Sequence, residues 1–197
     1  MRARPVRAVA AAVFAATVVL LGGCATEQQA PTQTGAQESL PPPVLAEAGH
    51  GSAPVRLTLG GDSAQILAVE TDQDGVLLPP KEIDQLGWWA GSAEPGSGAG
   101  TIVVTGHVDD IDLGTGFAAH FTSLKPGDTV TLTSNDQSAH RYQVTRAGAV
   151  AKEGGLPVDE LNRLDGPETL ALVTCGGPFV GPPLGYRDNI VVFAAPD

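Results

Sequence analysis

Thr169-Leu170-Ala171-Leu172-Val173-Thr174-Cys175-Gly176-Gly177 is the stretch on which the fold of this chain turns. A β-prone apolar run drives into a cysteine, and two glycines come after it. A Gly/Pro-rich segment then leads to Tyr186-Arg187-Asp188-Asn189 and a second apolar run, Ile190 to Ala195. Two buried strands flanking such a segment are expected to be neighbours in one sheet. On that reading Cys175 ends one strand and Arg187 begins the next, with guanidinium and thiol at the same rim. A cation beside a cysteine favours the thiolate, the nucleophilic form.

Upstream, a second strong strand has the same ending. Thr101-Ile102-Val103-Val104-Thr105 runs into Gly106-His107. Two central strands finishing at one rim would bring imidazole and thiol together, the general pattern of thiol nucleophilic catalysis. Arg187 would add a fixed positive charge able to stabilise an oxyanion. The bland alternative for His107 is a satisfied loop histidine. His120 and His140 illustrate it, since neither comes after a comparable strand.

Around these two strands the chain carries several more. Val55–Leu59, Gln65–Val69 and Val76–Leu78 are short β-prone runs, and Thr129–Thr133 with His140–Arg146 forms a hairpin. Short helices are expected at Phe117–Leu124 and Asp159–Leu164, with one helical turn at Lys81–Leu86, and Gly148–Gly166 is otherwise irregular. About eight short strands with few helices describe a small all-β barrel or sandwich. Residues 54–197 hold it, and roughly 140 residues can bury about two-thirds of their surface.

Composition narrows the function. The 197 residues carry a formal net charge of −11, with 17% charged and 42% hydrophobic residues, a globular balance. Three of the 11 basic residues, Arg2, Arg4 and Arg7, lie at the very start. The remainder of the chain is more acidic still, which argues against a nucleic-acid partner.

Those arginines precede an apolar run, Ala8 to Leu21, and then Gly22-Gly23-Cys24. Residues 1–24 therefore read as an export signal or membrane anchor, shorter than the roughly 20 apolar residues that span a bilayer. Leu21-Gly22-Gly23-Cys24 resembles a bacterial lipobox, in which Cys24 is lipidated; an uncleaved signal anchor is the alternative. Either way the domain is expected on the extracellular face of the cell membrane. Residues 25–53, rich in Gln, Thr, Ala and Glu and containing Pro41-Pro42-Pro43, are a linker. With Cys24 in the anchor, Cys175 is the lone cysteine of an exported domain. That makes it a candidate reactive thiol, against the alternative of a buried structural cysteine. Asp109, Asp110 and Asp112 crowd one loop without EF-hand spacing. No metal and no cofactor are expected.

Three segments together resemble the signatures of bacterial sortases: Thr105-Gly106-His107-Val108-Asp109, Leu172-Val173-Thr174-Cys175-Gly176-Gly177, and Tyr186-Arg187-Asp188-Asn189-Ile190-Val191-Val192. The Gly-His-Val-Asp and Cys-Gly-Gly phrases and the compact size look most like the class F (class E/F-type) sortases of high-GC Gram-positive bacteria. The resemblance implies an eight-stranded sortase-type β-barrel with short helices and 3-10 turns. It implies a cysteine transpeptidase that cleaves a Leu-Pro-any-Thr-Gly sorting signal between Thr and Gly and passes the acyl group to a cell-wall or pilin amine. Carried over by motif, Cys175 is the nucleophile, His107 the general acid and base, Arg187 the holder of substrate and oxyanion, and Thr174 a binder of the sorting signal. The segment Lys152–Asp165 matches the family's substrate-covering loop by position. A monomer is expected, attached to the membrane by its N-terminus.

Free thiols ionise near about 8.5 and imidazoles near about 6.5, so attack needs a minority ionisation state and turnover is expected to be slow. Two other readings remain open. An L,D-transpeptidase also uses Cys, His and Arg, but with a nearly contiguous Ser-His-Gly-Cys-Arg that this chain lacks. A non-enzymatic surface lipoprotein would keep its function in Cys175→Ala.

Overall fold

Alternation of side chains along each strand builds this molecule as a closed cylinder. A computed structural model describes residues 51–197 apart from Asp74. The anchor 1–24, Cys24 and almost all of the linker 25–53 lie outside the described residues. The strands are β1 (Pro54–Leu59), β2 (Asp62–Val69), β3 (Leu86–Trp89), β4 (Thr101–Gly106), the two-residue pieces β5 (Asp109–Asp110) and β6 (Gly114–Thr115), β7 (Thr129–Ser134), β8 (Ala139–Ala151), β9 (Thr169–Gly181) and β10 (Gly185–Pro196). Eight of them close a barrel in the order β1-β2-β3-β4-β9-β10-β8-β7, while β5 and β6 form a separate small hairpin. The pairs β2–β3 and β4–β9 are parallel and the rest of the barrel is antiparallel. The all-β eight-stranded architecture expected from the sequence is the one observed.

The inward set includes Leu57, Ile102, Val104, Val130, Leu132, Tyr142, Leu170, Leu172 and Val192, all fully buried. The alternate residues of β4, β9 and β10 face outward and are covered in their turn. Val103, Ala171, Val191 and Phe193 pack with Leu161 of the short helix α1 (Val158–Leu161) and with half-buried Leu77, Trp89, Leu156 and Val173. Strands covered on both faces need continuous apolar runs, which is why β4 and β9 stand out in the sequence. A 3-10 helix, Phe117–Ser123, drives Phe121 and Ala118 into the open end of the barrel.

Several elements differ from the sequence expectation. β8 runs on to Ala151, because β10 pairs with it all the way from Pro196 to Asp188. β9 likewise continues past Cys175 to Gly181, where β10 begins its return; Cys175 therefore lies within a strand, not at its end. Leu77 makes only an isolated bridge to Thr71, since Pro79 and Pro80 cannot extend a ladder. Lys81–Leu86 forms bends and a turn, and β3 starts at Leu86. α1 is confined to one turn at Val158–Leu161, and a separate 3-10 turn covers Lys152–Gly154.

The barrel end from which β9 departs is held by a carboxylate. Glu168, 8% exposed, accepts from Tyr142 Oη at 2.7 Å, Gly98 N at 2.7 Å and Gly96 N at 3.2 Å. Burial, then the Glu168 carboxylate, pushes the Tyr142 phenol far above its ordinary value. Tyr142→Phe removes one donor from that buried carboxylate and should lower stability by about 1–3 kcal/mol with no change in Cys175 alkylation. Urea unfolding and thiol labelling of the same sample check both halves.

Candidate active site

One hydrogen bond fixes the relation between the two strands that carry the chemistry. Thr174 Oγ1, in the barrel wall and 3% exposed, donates to the carbonyl of Gly106 at 2.8 Å. The parallel ladder places Thr105 opposite Val173. Two residues further along each strand, on the same face, come His107 and Cys175. Because Val103 and Val173 belong to the outer apolar cluster, the alternation points both functional side chains to the outside of the barrel, at one level. The backbone at His107 is braced by Gly116, where a Cβ would collide with the His107 carbonyl. Gly116 N also donates to Val108 O at 2.9 Å. Both Cys175 and His107 are half-buried, Cys175 is a free thiol, and no hydrogen bond engages the His107 ring among the described residues.

On the other side of β9, Asn189 pairs directly with Cys175, and the ladder bulges between Tyr186 and Asp188. Arg187 sits in that bulge. It is not the cation that touches the thiol. Its Nε donates to Asp188 Oδ1 at 2.9 Å and its Nη2 to Asp188 Oδ2 at 2.8 Å, a bidentate fork. Asp188 is 5% exposed, and Gly177 makes room for it: φ is +72° there and a Cβ would collide with the Asp188 carboxylate. The second glycine after the cysteine is thus explained by the arginine's partner. The hydrogen bond from Arg187 holds the Asp188 carboxyl below its ordinary value, and the carboxylate in return raises Arg187.

The cation in contact with the Cys175 thiol is Lys152, a contact that sequence reasoning missed. Its Nζ lies 3.7 Å from Cys175 Sγ and donates to Leu184 O at 3.2 Å. The sequence placed Lys152 at the start of the segment matching the family's substrate-covering loop, but gave the side chain no role at the thiol. A second unforeseen tie crosses the rim where Tyr186 donates a hydrogen bond to Asp109; that bond is the main cause of the raised Tyr186 phenol. Phe179 packs edge-on against Tyr186 with centroids 5.4 Å apart. Asp110 spends one oxygen on the N–H groups of Asp112 and Leu113, at 2.9 and 3.0 Å. Among the described residues no group of three or more His, Cys, Asp or Glu is arranged to hold a metal ion.

A cleft of about 390 Å³ runs along the outer faces of β4 and β9 and is lined by Leu77, Trp89, Val103, Thr105, Leu156 and Val173, among others. Thr105 and Val173 are the residues immediately preceding His107 and Cys175 on that face. The apolar cleft therefore leads to the thiol and imidazole. A free thiol, an imidazole on the same face, a guanidinium with spare N–H groups and an apolar channel are the kinds of group an acyl-transfer site needs.

The family model described as the sortase domain matches residues 62–197. The chain belongs to the sortase family. Among solved structures it is similar to sortase C-1 from Actinomyces oris, at 21% identity over 73% of this chain and 74% of that one, with a TM-score of 0.55. Pilus-related sortase C of Group B Streptococcus matches at 19% identity over 74% and 68%, TM-score 0.54. Sortase A from Corynebacterium diphtheriae matches at 18% over 74% and 61%, TM-score 0.54. At these identities the likeness is one of fold. No curated protein sequence matches the chain. As a sortase, the protein is a cell-wall sorting cysteine transpeptidase.

Two measurements test this geometry. The Asp188 carboxyl is depressed below 3.8, so its pairing contributes stability that is fully present above that value and is lost as pH falls through the lower, folded-state value. Carbon-detected NMR of the Asp188 side chain should give a midpoint below 3.8 in the folded protein. Thr174→Val removes the bond to Gly106 and should cost about 1 kcal/mol, whereas Thr174→Ser should retain most of it in urea unfolding.

Proposed function

We propose that Cys175 is the nucleophile of this sortase, His107 its proton carrier, Arg187 its holder of the substrate carbonyl and oxyanion, and Thr174 the residue that shapes the end of the sorting-signal site. The observation that carries this is the parallel register of β4 on β9, locked by Thr174 and Gly106. The substrate is a surface protein bearing a Leu-Pro-any-Thr-Gly-like signal. An aliphatic residue suits the cleft formed by Leu77, Trp89, Val103 and Leu156.

In this reading the Cys175 thiolate attacks the threonine carbonyl, and the electron pair moves to oxygen. Arg187 still has N–H groups to offer it, since the bond to Asp188 uses Nε and one N–H of Nη2 while the guanidinium carries five donors in all. Collapse of the oxyanion breaks the Thr–Gly C–N bond, and His107 gives its proton to the departing amine. The thioester remains on Cys175. An incoming amine loses a proton to His107, attacks the thioester carbonyl, and releases Cys175 as thiolate. Thr174 acts through the backbone it ties to Gly106.

The class F reading rests on Gly106-His107-Val108-Asp109, on Cys175-Gly176-Gly177 and on the short chain. With it goes a location on the outer face of the cell membrane, by way of residues 1–24. Mass spectrometry of the protein mixed with a Leu-Pro-Glu-Thr-Gly peptide and a glycine or diaminopimelate amine tests the assignment. The expected result is an acyl adduct on Cys175 and a Thr–amine product, both absent in Cys175→Ala. Turnover in His107→Ala should fall by about a hundredfold or more. Wild-type turnover in Cys175→Ala would sink the proposal.

A further inference from the structure

Arg187 and Lys152 present very different charges to the sulfur. Arg187 is bound through two hydrogen bonds to Asp188, so the pair as a whole is close to neutral. Lys152 has no carboxylate within ion-pair distance among the described residues. Its contacts are a carbonyl dipole, Leu184 O, and Cys175 Sγ. A full positive charge 3.7 Å from sulfur stabilises the anion and is not cancelled by a neighbour.

The position of Lys152 is built into the fold. β8 and β10 stay paired as far as Ala151 and Asp188, which sets Lys152 one residue beyond the end of that ladder. The 3-10 turn at Lys152–Gly154 comes immediately after it. Leu184, between β9 and β10, presents its carbonyl from the opposite bank. The ammonium is thus suspended between two connections, over the one strand that carries the cysteine.

We propose that Lys152 is a positioning residue whose ammonium raises the share of Cys175 present as thiolate, leaving Arg187 to the substrate. The ionisable groups on the elements around Cys175 are Lys152 of the 3-10 turn, His107 just past β4, and Tyr186, Arg187 and Asp188 of β10, with Asp109 of β5 bonded to Tyr186. Of these, Asp188 and Asp109 are occupied by Arg187 and Tyr186 respectively. Lys152 is the cation among them that has no counter-ion within the described residues.

The test is the rate at which iodoacetamide alkylates Cys175 in the full-length chain in detergent, tracked on the Cys175 peptide by mass spectrometry at about pH 7 and about pH 9.5, below and above the ordinary thiol value. It needs no sorting signal, so its outcome is independent of the substrate reading. Lys152→Met keeps the length of the side chain and removes its charge; Lys152→Arg keeps the charge. Alkylation at the lower pH should fall about three- to tenfold in Lys152→Met, in line with a thiolate fraction that tracks the nearby cation. It should stay within about twofold of wild type in Lys152→Arg. At the higher pH, where hydroxide ionises the thiol unaided, the Lys152→Met rate should recover. Equal rates in Lys152→Met and wild type at the lower pH overturn the proposal. So does a Lys152→Met rate that stays low at both pH values, which would mean that the lysine acts by shaping access and not by charge.

Discussion

The bond from Thr174 Oγ1 to the Gly106 carbonyl is the constraint on which the chemistry of this barrel depends. β4 and β9 are far apart in sequence, and parallel neighbours need a long crossover connection. A slip of one residue between them would turn His107 to the opposite face from Cys175. Here the crossover holds the 3-10 helix, β7 and β8, and it returns the chain in a register that a buried side-chain hydrogen bond then fixes. Removing the Thr174 hydroxyl would take away the side-chain bond that ties the two strands at this level. Threonine is well suited to the position, since it is β-branched, as a strand favours, and still carries a donor that reaches across.

The two ends of the β4–β9 pair divide the work of stability and chemistry. At the end where β9 begins, Glu168 is buried and receives three hydrogen bonds, binding the Gly96–Gly98 loop to β8. At the other end the thiol and imidazole are half-buried and sparsely bonded: among the described residues the His107 ring has no hydrogen bond and Cys175 only a long contact to Lys152. Proton transfer and acyl transfer need groups whose partners can change, and a site saturated with internal hydrogen bonds would resist each step. The saturated end supplies rigidity so that the other can go without.

Much of this was legible in the sequence because burial on both faces leaves an unmistakable trace. Ile102–Val104 and Leu170–Val173 had to be central strands, and a strand so apolar that ends in Gly106-His107 or runs into Cys175 announces the exception. The number of strands left a barrel or a sandwich, and the resemblance to sortases pointed to the barrel. What stayed hidden depended on pairing across the chain. Asp188 is the residue next to Arg187, and adjacent residues in a regular strand point to opposite faces; only the bulge between Tyr186 and Asp188 lets the two side chains meet. The continuation of β9 through Gly176-Gly177 was equally obscure, since glycines usually end a strand, and here Gly177 yields to the Asp188 carboxylate. The contact of Lys152 with the thiol was hidden for a third reason. Its importance comes from where the β8–β10 ladder ends, and no local pattern encodes that.

The charges around the sulfur also answer a demand made by the acceptor. An amine arrives from water as an ammonium and must surrender a proton before it can attack. Three uncompensated cations, Arg187, Lys152 and a protonated His107, would together repel it, with each pair of unit charges at about 4 Å worth about 1 kcal/mol in water and more in a partly buried cleft. The fold reduces that opposition where it can. Asp188 neutralises Arg187 while leaving N–H groups free for a carbonyl, so the guanidinium keeps its hydrogen-bonding function and loses most of its long-range field. Asp109 and Asp110 stand on the hairpin just beyond His107, on the acidic side of a chain whose net charge is −11. On the roles proposed for Cys175 and Lys152, the cation left uncancelled is the one in contact with sulfur, and the sulfur's charge is consumed when the thiolate forms the thioester. At that stage the Lys152 ammonium has lost its anion and keeps only the Leu184 carbonyl. The acyl-enzyme is then the state in which the lysine is most easily displaced, and that is when the acceptor amine must reach the carbonyl beside it.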